Sequence, residues 1–81
     1  MRLPRDLSGD QLVRLLRRYG YRATRQTGCH IRLTTSQGGQ HHVTIPRQSS
    51  LRVGTLNAIL KDIAGHLGIE RDELLAELTG R

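Results

Sequence analysis

Two stretches of alternating side chains constrain this chain more than any other feature. Residues 29–35 put Cys29, Ile31 and Leu33 on one face and His30, Arg32 and Thr34 on the other. Residues 41–45 repeat the pattern, with Val43 and Ile45 apolar and His42 and Thr44 opposite. The intervening residues 36–40 include Gly38-Gly39, the composition of a hairpin loop. An antiparallel hairpin with a single apolar face must have that face covered, and the flanking sequence supplies helices for it.

Ahead of the hairpin, Ser8-Gly9-Asp10-Gln11 reads as a capping box, and Leu7 and Leu12 fall where a hydrophobic staple belongs. Leu12, Leu15, Leu16 and Tyr19 then recur at helical spacing, so a helix is expected over residues 9–19, stopped by Gly20. Arg14, Arg17 and Arg18 lie mostly off its apolar stripe. Residues 21–26 form a first extended segment, joined to 29–35 by a tight turn around Thr27-Gly28, and Pro46 closes the third strand. Beyond a turn-rich stretch, Val53, Leu56, Ile59, Leu60, Ile63 and Leu67 mark a second amphipathic helix ended by Gly68. A short last helix is expected over residues 71–78, inside a C-terminal segment 69–81. The expectation is an α+β fold in one domain over residues 1–81, with 1–7 as a lead-in. Its order is α-β-β-β-α-α, a three-stranded antiparallel sheet with helices on one face.

At 81 residues the chain is too short for a barrel enzyme or a dinucleotide-binding domain. It has no membrane-length apolar run, no apolar leader and a single cysteine, so a soluble protein of the reducing cytoplasm is expected. Charge is divided along it. Residues 1–53 hold ten Arg against Asp6 and Asp10, a net of +8. Residues 54–81 hold Lys61, Arg71 and Arg81 against Asp62, Glu70, Asp72, Glu73 and Glu77, a net of −2. The basic part points to a polyanion, most often nucleic acid. With no Phe or Trp and only Tyr19 and Tyr21, stacking bases on the sheet is disfavoured against contacting phosphates.

The alternation turns His30 onto the face that helices leave open. Pairing Ile31 with Ile45 and Leu33 with Val43 keeps the apolar faces together and sets Thr34 opposite His42. His42 then stands about 13 Å along the sheet from His30, which disfavours a two-histidine acid–base pair. On the other side, placing Tyr21 and Ala23 on the core face pairs Thr24 with His30 and Arg22 with Arg32, with Arg25 near the hairpin end. An imidazole among guanidinium groups suits a phosphodiester. It can exchange the proton of a 2′-hydroxyl that attacks the adjacent phosphate, while the arginines stabilise phosphoryl charge, and no metal is required. An exposed strand histidine without a role is the plain alternative. His41-His42 and Cys29-His30 are neighbours facing opposite ways, and no metal-ligand spacing occurs, so neither a metal nor a small-molecule cofactor is expected. Cys29 is expected as a small buried residue on the core face. At the start of the second helix, Val53-Gly54-Thr55 either offers N–H groups to a phosphate or uses Gly54 for close packing.

Several blocks resemble a known family in order and spacing. They are Leu12-Val13-Arg14-Leu15-Leu16, Tyr19-Gly20-Tyr21, Arg25-Gln26-Thr27-Gly28-Cys29-His30, His42-Val43-Thr44-Ile45-Pro46 and Leu51-Arg52-Val53-Gly54-Thr55-Leu56-Asn57-Ala58-Ile59-Leu60. Over residues 7–68 the chain resembles the HicA (YcfA-like) toxins. The resemblance implies a double-stranded-RNA-binding-like fold, an mRNA-cleaving toxin of a toxin–antitoxin pair, and a HicB-like antitoxin as partner. The family's motif sets its catalytic histidine after a Gly-Ser pair, which maps onto His30 after Gly28-Cys29, with Cys29 in the place of Ser. The expected function is a metal-independent endoribonuclease with His30 as general acid or base. Arg22, Thr24, Arg25, Gly28 and Arg32 are the expected RNA contacts. The alternatives are a non-catalytic RNA-binding module of the same fold, or a domain that only binds a protein partner.

Overall fold

The computed structural model describes residues 3–80; Met1, Arg2 and Arg81, at the ends of the expected lead-in and C-terminal segment, lie outside the described residues. The elements run α1 (Gly9–Leu16), β1 (Arg22–Thr27), β2 (His30–Thr35), β3 (His41–Pro46), α2 (Val53–Leu67) and α3 (Arg71–Thr79). They form the expected α+β arrangement, with an antiparallel sheet ordered β1-β2-β3.

The capping box starts α1 as its residues dictate. Ser8 Oγ accepts from the Gln11 N–H at 3.0 Å, and Gln11 Oε1 accepts from the Ser8 N–H at 2.8 Å. The expected helix over 9–19 tightens after Leu16 into a 3-10 turn over Arg17–Tyr19, and Gly20, at φ 80°, ends it. The lead-in belongs to the core. Leu3 is buried, the Leu51 N–H donates to the Leu7 carbonyl at 2.7 Å, and the Gly9 N–H donates to the Gln48 carbonyl at 2.9 Å.

Between β2 and β3 the register is the expected one, Ile31 with Ile45, Leu33 with Val43 and Thr34 with His42. Between β1 and β2 it is not. The expected Thr24–His30 and Arg22–Arg32 pairs are replaced by Thr27–His30 and Arg22–Thr34, with an irregularity between Ala23 and Arg25. The cause lies in the turn. A two-residue loop, Gly28-Cys29, closes directly on Thr27 and His30, and Gly28 takes the positive φ of 55° it requires. Cys29 therefore sits in the turn and is exposed rather than packed on the core face. Tyr21 still has to enter the core, where it is fully buried, and the extra residue at Thr24 reconciles both ends of the strand. Ala23 is exposed, as is every residue of β1, the edge strand of the sheet.

One apolar cluster joins the inner sheet face to all three helices. It includes Leu74, Leu75 and Leu78, so α3 completes the core, and Glu77 anchors it further by accepting from the Tyr19 hydroxyl. Val53, expected on the apolar stripe of α2, is 49% exposed at the helix start, where the chain has not yet reached the sheet. A side chain at Gly54 would meet open space, which removes the close-packing reading of that glycine.

A polar strap ties the β2–β3 loop to α2. His41 donates from Nε2 to Asp62 at 3.1 Å, and its Nδ1 lies 2.7 Å from the Tyr21 hydroxyl. Its ring stacks on His66 at 4.4 Å, and His66 Nε2 donates to the Gln37 carbonyl at 2.9 Å. Burial, reinforced by Asp62, pushes the Tyr21 phenol up to about 12, and burial with Glu77 does the same to Tyr19. A phenol whose pKa is higher in the folded chain adds stability that is whole below pH 10 and lost as the pH rises through about 12. These are the only two tyrosines and there is no Trp, so an ultraviolet titration reads them cleanly. Tyrosinate should form in the native chain with a midpoint near 12, and a native midpoint at the ordinary value of 10 would show that both phenols are open to water.

Candidate active site

His30 opens β2, with Thr27 opposite it on β1 and Pro46 opposite it on β3. Ile31 is committed to the core, so the His30 side chain is turned to the open face, where it is exposed. Arg32 lies on that same face about 7 Å further along the strand. Directly opposite Arg32 is Arg25. Simple alternation from Ala23 would aim Arg25 at the core, but the extra residue at Thr24 restores the phase and leaves both guanidinium groups on the open side.

The structure thus gathers Arg25, Arg32 and the Gly28 turn near His30. It removes Arg22, which pairs with Thr34, and Thr24, whose hydroxyl lies 2.8 Å from that of Thr34 and donates to the Arg32 carbonyl at 3.4 Å. The Thr34 hydroxyl in turn lies 2.8 Å from His42 Nδ1. Thr24, Thr34 and His42 form a hydrogen-bonded line across all three strands, and Thr27 occupies the place beside His30 that Thr24 was expected to fill.

Beneath the hairpin turn lies a latch that the sequence did not disclose. The Arg47 N–H donates to the Cys29 carbonyl at 2.6 Å. The Arg47 guanidinium donates to both carboxylate oxygens of Asp10, at 3.0 and 3.1 Å. That pairing holds the Asp10 carboxyl below the usual carboxylate range and raises Arg47. The latch links the first turn of α1, the segment after β3 and the residue before His30. Its partners stand 37 positions apart, and no local pattern marks them as a pair.

Two arginines directly opposite one another on adjacent strands repel. Among the described residues neither Arg25 nor Arg32 has an ion-pair partner, so an anion placed between them would relieve that repulsion. Beside this pair stands the exposed imidazole of His30, whose ring nitrogens can donate and accept hydrogen bonds. Among the described residues no group of three His, Cys, Asp or Glu side chains gathers to hold a metal ion. None of the described helices is long and apolar enough to cross a membrane.

The family model of the HicA toxin of bacterial toxin–antitoxin systems matches residues 9–64, from the first residue of α1 through the His30 hairpin and into α2. The chain belongs to the HicA toxin family. Comparison with curated proteins finds no match, and comparison with solved structures finds none either. Membership in HicA, a toxin family of toxin–antitoxin systems, implies an antitoxin partner. The HicA match ends before α3, so the helix that completes this core lies outside the matched segment.

Proposed function

We propose that this HicA toxin is an endoribonuclease that cleaves mRNA without a metal ion, with His30 as its proton-transfer group. The observation that supports this most is the exposed His30 beside the opposed Arg25 and Arg32 on the uncovered sheet face. The arginines hold a backbone phosphate, and the imidazole takes the proton of the neighbouring 2′-hydroxyl. The 2′-oxygen then attacks phosphorus, the bond to the 5′-oxygen breaks, and that oxygen takes a proton from water. The products carry a 2′,3′-cyclic phosphate and a 5′-hydroxyl. A HicB-like antitoxin neutralises the toxin by covering His30 or the arginine face.

The test is digestion of an mRNA in excess chelator, followed by analysis of the ends. Cleavage with cyclic phosphate ends is expected. Cleavage lost to the chelator and restored by a divalent ion would overturn the metal-free chemistry. Salt-sensitive binding that leaves the strand whole would favour a non-catalytic RNA-binding module.

A further inference from the structure

A second basic feature lies on the other side of the hairpin end. A shallow depression of about 260 Å³ opens between α1 and the sheet, lined by Asp10, Arg14, Arg17, Gln26, Ile31 and Arg47. Arg14 and Arg17 are three residues apart on one helical face, and both are exposed. Asp10 is the only acid in the lining, and its two oxygens are engaged by Arg47. The three arginines therefore leave a net of +2 in the depression, with the Gln26 amide as a neutral donor on the opposite wall.

The position of this feature relative to His30 follows from the register. Gln26 pairs with Ile31 on the helix side of the sheet, and Thr27 pairs with His30 on the open side. The depression and His30 thus occupy opposite faces of the same hairpin end. Only β1 lies between them and the edge of the sheet, all of its residues are exposed, and among the described residues no further strand pairs with it. A flexible strand leaving His30 can pass around β1 and reach Arg14 and Arg17, whereas a stiff duplex cannot fold about an edge one strand wide.

We propose that Arg14 and Arg17, with Arg47 held in place by Asp10, form a second phosphate seat for single-stranded RNA whose scissile bond lies at His30. This rests on the ribonuclease reading of His30, and the experiment separates the two. The probe is a single-stranded 2′-O-methyl RNA, which has no free 2′-hydroxyl and stays intact whatever His30 does. Its affinity is measured against salt for the wild type, for the Arg14→Gln/Arg17→Gln variant and for a charge-matched Arg5→Gln/Arg52→Gln variant. Gln keeps the helix propensity of α1, and a thermal melt checks that each variant is folded.

For single strands each phosphate contact adds about 0.7 to the slope of log affinity against log salt, so losing two should flatten it by about 1.4. Affinity at moderate salt should fall on the order of tenfold, with a much smaller effect in the control pair. An unchanged slope overturns the seat, as does an equal loss in the control. A stem-loop duplex that binds as tightly as the single strand and loses as much on Arg14→Gln/Arg17→Gln overturns the wrapped path. Cleavage of ordinary RNA by a His30→Ala variant would instead overturn the His30 reading while leaving the binding result standing.

Discussion

His30→Ala is expected to lower the rate of RNA cleavage by about 10²- to 10⁴-fold, the usual contribution of a positioned acid–base group. The fold should survive the change, since the side chain is exposed and its removal opens no cavity. RNA affinity should change little, because the phosphate contacts assigned to Arg25 and Arg32 remain. A rate loss at near-constant affinity would mark His30 as acting on the reaction and not on binding. The comparison uses single-turnover cleavage and oligonucleotide binding on the same two proteins. A folded variant that still cuts RNA at the wild-type rate would defeat the assignment.

Gly9→Ala is expected to be strongly destabilising, for a reason no helix rule contains. A Cβ at Gly9 would stand 2.0 Å from the Pro46 carbonyl oxygen and 3.2 Å from the Arg47 Cα, all backbone neighbours with no rotamer to give way. The Gly9 N–H is bonded to Gln48 and Asp10 is paired with Arg47, so α1 cannot slide aside without breaking both. Helix propensity favours alanine over glycine by about 1 kcal/mol. The clash outweighs it, with a net loss of about 3 kcal/mol expected from overpacking. In a chain of this size that corresponds to a fall in Tm of roughly 12–24 °C. A thermal melt within a few degrees of wild type would mean that α1 does not approach β3 so closely. The same substitution should disturb Arg47, and with it the carbonyl of Cys29 next to His30.

What could be read from the chain depended on how local its cause was. The capping box, the Gly20 stop and the Ile31–Ile45 register each follow from residues within a few positions or from a single apolar face, and each is present. The β1 register failed because two demands on that strand compete. Gly28 sets the turn at one end and burial of Tyr21 sets the other, and only an extra residue satisfies both. That extra residue moved Thr24 and Arg22 away from His30 and brought Arg25 to face Arg32. Cys29 leaves its expected place on the core face for the same reason, since a one-residue change in the turn takes it out of the strand.

By itself, then, the sequence determined the order of elements, the open face of the sheet and the placing of His30 upon it, because periodicity and capping act over a few residues. The HicA resemblance pointed to the same histidine. Tertiary structure decided what surrounds it: the Arg25–Arg32 pair, the Asp10–Arg47 latch and the close approach of Gly9 to Pro46. These join residues far apart in the chain, and their geometry exists only once α1 has been packed across the end of the sheet.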